Sequence, residues 1–167
     1  MNSTKKKSFA REYALKYLYH LQLEQFVRLR NEFIGEASPL ATLQESIQDF
    51  DESFRQEDQE HPDNVLDGEV KNFANQLIEG VLLNYDGLQE TVKKHLKKWT
   101  LERLDKLDLT ILLVGAYEIN FLGTPPKVVI NESVNLAKKY GTRDSYSFIN
   151  GVLDRISKDQ GQESRDS

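Results

Sequence analysis

The sequence predicts an all-α fold of about seven helices. Apolar residues recur at steps of three and four along most of the chain, the spacing of one helix face. No segment keeps the strict alternation of a half-buried strand. Punctuation at Gly35, Ser38-Pro39, Asp86-Gly87 and Gly123-Thr124-Pro125-Pro126 separates the periodic segments.

Phe9, Tyr13, Tyr17 and Leu21, flanked by Ala14 and Leu18, predict a long first helix running towards Phe33. Ser38 caps a second helix with Pro39 at its first position, and Leu40, Leu43, Ile47, Phe50 and Phe54 form its apolar stripe. The stretch from Asp51 to Asn64 reads as a solvated loop. A third helix begins near Val65 and carries Val70, Phe73, Ala74, Leu77, Val81 and Leu82 to Tyr85. Leu88, Val92, Leu96 and Trp99 mark a fourth. After a connection from Thr100 to Lys106, an apolar helix spans Leu107 to Phe121. Thr124 is expected to cap the next helix, which begins in prolines. Lys138 and Lys139 lie in its last turn, where the dipole favours cations, and Gly141 follows its end.

The last helix carries a conflict. Asn150-Gly151 is a strong hairpin signal, yet Phe148, Ile149, Val152, Leu153 and Ile156 are spaced as one helix face. The spacing predicts a helix, started by Thr142, Asp144 or Ser145 as cap. An interior glycine costs about 1 kcal/mol against alanine. Gly151 is therefore expected to admit a second helix closely, the Leu107 to Phe121 helix at Gly115-Ala116. A polar tail, 158–167, follows the helical domain of 1–157.

The 167 residues suffice for a core without staples. Without cysteine there is no disulfide or thiolate metal site. His20, His61 and His95 share no metal-ligand spacing and read as surface histidines, so no metal and no cofactor is expected. No run approaches the roughly 18 apolar residues of a membrane span, and MNSTKKKSFAREY lacks the apolar core of a secretory signal. A cytoplasmic protein is expected. The net charge is −5, but Glu36 to Glu69 holds eleven acidic residues and one basic, Arg55, or −10. The rest of the chain is therefore +5, and the acidic total does not exclude nucleic acid.

The run from Lys106 to Asp154 resembles the NusB family of bacterial transcription antitermination factors. The resemblance rests on Leu107-Asp108, Ala116-Tyr117-Glu118, PKVVINE from Pro126, LAKKYG from Leu136, Asp144-Ser145 and FINGVLD from Phe148. Arg11-Glu12-Tyr13-Ala14-Leu15 and Leu18-Tyr19 extend it into the N-terminal half. The acidic, insertion-like segment of about 40–64 departs from it. The resemblance implies two packed helical subdomains and no enzymatic activity. It implies binding of single-stranded boxA RNA in ribosomal RNA leaders, with ribosomal protein NusE, in the antitermination complex on RNA polymerase. Both monomers and homodimers occur in the family.

From the residues alone, Lys5, Lys6, Lys7 and Arg11 read as a solubilising tail or as an arm for phosphates. Tyr146 and Phe148 read as core or as bases' stacking partners. Asp144 reads as a cap or as an acceptor for a base edge. The resemblance places all seven on the RNA side. It places Tyr19, Glu102 and Asp108 on the NusE surface, where carboxylates meet arginines. Glu118 reads as an internal ion-pair member. Asn131 and Glu132 lack any partner at catalytic spacing, so no catalytic residue is expected. The alternative function is a helical protein–protein interaction module without specific RNA binding.

Overall fold

The computed structural model describes residues 2–22, 68–97 and 103–166, and every regular element among them is helical. The expected second helix, the acidic loop, and the run of the first helix towards Phe33 lie outside the described residues. The chain divides into two compact units, Met1–Leu83 and Asn84–Ser167. None of the described helices is long and apolar enough to cross a membrane.

In the first unit, helix α1 (Ser3–Gln22) packs on α2 (Gly68–Leu83). Asn2 caps α1: its Oδ1 accepts from the Lys5 backbone N–H at 2.9 Å. The lysine run is thus the opening of a helix. Ala10, Tyr13, Ala14, Tyr17, Leu18 and Leu21 bury one face of α1, and Val70, Ala74, Leu77, Ile78 and Val81 bury the facing stripe of α2.

The second unit contains α3 (Tyr85–Lys94), α4 (Lys106–Tyr117), a π-helical turn (Glu118–Leu122), α5 (Pro126–Tyr140) and α6 (Ser145–Asp166). Helix α4 is the hub, packed against α3, α5 and α6. It is apolar all round, and every residue from Asp108 to Tyr117 is buried. Asp105 caps it, accepting from Leu107 N–H at 2.8 Å. The π turn ends at Gly123, whose φ of 66° is the left-handed conformation that glycine adopts without a Cβ clash. Thr124 N–H closes that end on the Glu118 carbonyl at 3.2 Å.

Thr124 does not cap α5. Pro125 holds the cap position, and the Thr124 hydroxyl donates to the buried Glu118 carboxylate at 3.4 Å. Nor is His95 a plain surface histidine. Its Nδ1 meets the Thr91 carbonyl at 2.7 Å and its Nε2 meets Asp159 Oδ2, while Arg155 donates twice to the His95 carbonyl at 3.0 and 3.1 Å. These bonds tie the end of α3 to α6.

Asn150-Gly151 lies inside α6, as the three-and-four spacing required. The reason expected for the glycine does not hold. A Cβ on Gly151 would meet only Arg155 Nη1, at 3.4 Å, and no part of α4. The close approach belongs to Gly115 on α4. A Cβ there would lie 2.9 and 3.0 Å from the methyl carbons of buried Leu153 and 3.3 Å from Ser133 Oγ. Leu153 of α6 and Ser133 of α5 both seat on that bare spot. The polar run after the last apolar residue, Ile156, continues as helix to Asp166.

Candidate nucleic-acid interface

The two units carry separate candidate surfaces. In the first, α1 places Lys5, Lys6 and Lys7 in its opening turns. The aligned peptide dipoles make this the positive end of the helix, so an incoming phosphate meets cations and dipole together. Lys5 and Lys7 are exposed. Lys6 is half-buried and pairs with Glu69 of α2 at 3.3 Å. Lys7 Nζ lies 5.6 Å from the centre of the Phe73 ring.

Arg11 departs from expectation. It is 4% exposed, with its guanidinium 5.4 Å from the Phe73 centroid. Stacked there, it holds α1 to α2 and is not presented to a phosphate. Tyr19, further along the same helix, is 37% exposed.

In the second unit the candidate surface is the corner between α5 and α6. Tyr146 stands out at 43% exposure in the first turn of α6. Lys138 Nζ, from the last turn of α5, lies 5.4 Å from its ring centre. Beside it Lys139 lies 5.3 Å from the ring of exposed Tyr140. Arg143 and Asp144 are exposed in the connection, and Phe148 is half-covered two residues beyond Tyr146. Asp144 takes the cap position of α6: its carbonyl accepts from Phe148 N–H at 3.3 Å. Its carboxylate sits where the dipole favours an anion.

The contribution of Lys138, Lys139, Tyr140 and Arg143 was not foreseen. The run KKYGTRDSY alternates basic and aromatic residues, which is the available signal. It straddles a helix break, so its residues share a surface only after the chain has turned.

Beneath this corner lies Asp108, 9% exposed in the first turn of α4. Its Oδ2 accepts from the Ser145 hydroxyl at 3.2 Å, and its Oδ1 is buried without a hydrogen-bond partner. Burial raises the pKa of this carboxyl above 3.8; the Ser145 bond opposes that shift and the charge of Asp105 adds to it. Asp108 was expected to face a protein partner. It faces inward instead, because its carboxylate is spent on the start of α6. Glu102 lies outside the described residues. Among the described residues no three acidic or histidine side chains are grouped as metal ligands.

Comparison with known proteins agrees with this architecture. The NusB family model matches residues 8–158. A protein of Thermodesulfovibrio yellowstonii named transcription antitermination protein NusB is 38% identical over 156 residues, 93% of each chain. Among solved structures, T. maritima NusB superposes with a TM-score of 0.67 at 29% identity, covering 91% of this chain and 90% of its own. A structure of antitermination factors NusB and NusE with dsRNA shares the fold at 24% identity, with a TM-score of 0.66 over 95% of this chain and 98% of that one. With residues 8–158 matching the family model, the chain belongs to the NusB family.

Proposed function

We propose that the chain is a non-catalytic, RNA-binding antitermination factor. It takes boxA-type single-stranded RNA of ribosomal RNA leaders, together with ribosomal protein NusE, and acts on elongating RNA polymerase. The observation that carries this reading is the α5–α6 corner. Exposed Tyr146 has a lysine over its ring, and Tyr140, Lys139 and Arg143 lie alongside. Exposed aromatics stack unpaired bases, and cations beside them meet the phosphates between those bases. A buried core has no use for that pairing at the surface. The lysines opening α1 add phosphate contacts, which raise affinity without reading sequence. The family relation supports NusE as the partner, with exposed Tyr19 as its candidate contact.

The test is a titration of boxA-like RNA, and of a scrambled RNA, with and without NusE. Binding should favour boxA, tighten when NusE is present, and weaken steeply with salt. Tyr146→Ala should cost about 1–3 kcal/mol of RNA binding, the value of one stacked base. Equal binding of both RNAs at every salt concentration would leave a protein-interaction module as the better reading.

A further inference from the structure

The start of α6 is held by a chain of hydrogen bonds that runs from exposed Thr142 to buried Asp108. The Ser145 hydroxyl accepts from the Thr142 backbone N–H at 3.0 Å and lies 3.2 Å from Asp108 Oδ2 and 3.0 Å from Thr142 Oγ1. A hydroxyl has one proton to donate. Given to the carboxylate, which when ionised only accepts, it leaves Ser145 Oγ to accept from both Thr142 groups. The direction of all three bonds is then set from Asp108 outward. Ser145 is buried, although its neighbours Asp144 and Tyr146 are exposed.

The backbone makes room for this arrangement. Gly141 has φ −89° and ψ −173°, extended backbone open to any residue. Its constraint is space: a Cβ there would lie 2.9 Å from both Cβ and Oγ of Ser145 and 2.7 Å from the Ala137 carbonyl oxygen. Glycine at 141 lets the serine drop into the corner and reach α4. The Ser145–Asp108 hydrogen bond ties the first turn of α6 to α4.

We propose that Asp108 is the positioning residue of the RNA surface: through Ser145 it fixes the first turn of α6, and so the directions in which Tyr146 and Phe148 leave the helix. Asp108 itself touches no RNA. The proposal rests on the RNA-binding reading given above. It also accounts for a buried carboxyl whose second oxygen is unpartnered.

The experiment measures two quantities on one set of full-length proteins: wild type, Ser145→Ala, Asp108→Leu, Asp108→Asn, and the Asp108→Leu/Ser145→Ala double variant. The first is amide hydrogen exchange of residues 145–149 without RNA. The second is affinity for boxA-like single-stranded RNA at several salt concentrations. Ser145→Ala and Asp108→Leu should each speed exchange and weaken RNA binding by roughly three- to tenfold, the value of one net hydrogen bond. The double variant should be no weaker than the worse single, since both break one link. Asp108→Asn keeps an acceptor for the serine and should recover most of the affinity lost in Asp108→Leu. The salt slope should not change, because no phosphate contact is lost.

Additive losses in the double variant, an Asp108→Asn as weak as Asp108→Leu, or unchanged exchange in Ser145→Ala would each overturn the proposal. Ser145→Ala and Asp108→Asn keep the test decisive if Asp108→Leu fails to fold. A wild-type protein that ignores RNA while the variants still speed exchange would overturn the RNA reading, and the aiming role with it. That result is distinct from a failed link, in which RNA binds and exchange does not change.

Discussion

Two glycines in the second unit carry opposite requirements, and alanine substitution separates them. At Gly115 the new methyl would press on buried Leu153 and on Ser133, in a helix packed on three sides. Gly115→Ala should destabilise by roughly 1–3 kcal/mol through overpacking, outweighing the gain in helix propensity. At Gly151 the methyl meets one guanidinium nitrogen at contact distance, so Gly151→Ala should stabilise by up to about 1 kcal/mol. Urea unfolding of both variants decides the pair. The ionisation of Asp108 gives a second residue-scale prediction. Its folded pKa lies above 3.8, chiefly through burial. Below 3.8 both folded and unfolded chains hold the proton, and the group has no effect on the balance. As pH rises the unfolded chain gives up the proton first, and stability falls until the folded pKa is passed. Asp108→Asn lacks this titration. Its stability relative to wild type should therefore climb as pH rises above 3.8 and level off once the folded pKa is passed, which unfolding midpoints across pH will show.

Helix spacing was legible wherever a single stripe decided burial. The α6 period overrode the Asn150-Gly151 hairpin signal because Ile149, Val152, Leu153 and Ile156 all reach the core. What the period could not show is which neighbour fills each face. Gly115 and Gly151 look alike in the chain, and only the seating of Leu153 on α4 tells them apart. Thr124 had the chemistry of a cap but was drawn to Glu118, because burying a carboxylate requires a hydrogen-bond donor. The first helix allows a prediction at the same scale. Lys5 and Lys7 are exposed at its positive end, whereas Lys6 is paired with Glu69. Lys5→Ala and Lys7→Ala should each weaken boxA and scrambled RNA alike and flatten the salt slope by about 0.7 per lost phosphate contact. Glu69→Gln should tighten both RNAs by removing a carboxylate that sits 3.3 Å from Lys6 and repels phosphate. If neither slope changes in the lysine variants, this helix end is not on the RNA.

Across the whole molecule, charge is divided rather than balanced. The acidic block from Glu36 to Glu69 carries −10 and the rest of the chain +5. Family and fold were legible from ordered motifs in the second half, where each motif proved to be a helix end or a helix contact: PPKVVINE opens α5, LAKKYG closes it, and FINGVLD brings Leu153 onto Gly115. The site was less legible. Its members are sorted by burial, and burial separates Arg11 from Lys7 and Asp108 from Asp144 although each pair shares a residue type or charge. The acidic block matched no motif, but its charge alone has a consequence. Unit charges repel phosphates over about 8–10 Å at moderate salt, and a chain of −5 approaches an anion against its own field. Deleting Glu57 to Pro62 removes three carboxylates and takes the chain to −2. Affinity for boxA-like RNA should stay equal or improve, with the improvement confined to low salt, where screening is weak. The measurement is RNA affinity at low and at physiological salt, on a variant whose helical circular dichroism and unfolding midpoint match wild type. Tighter binding at both salts would mean that the segment obstructs the RNA sterically. A large loss in such a folded variant would mean that the segment itself holds RNA, and that the lysines of α1 and the α5–α6 corner do not suffice.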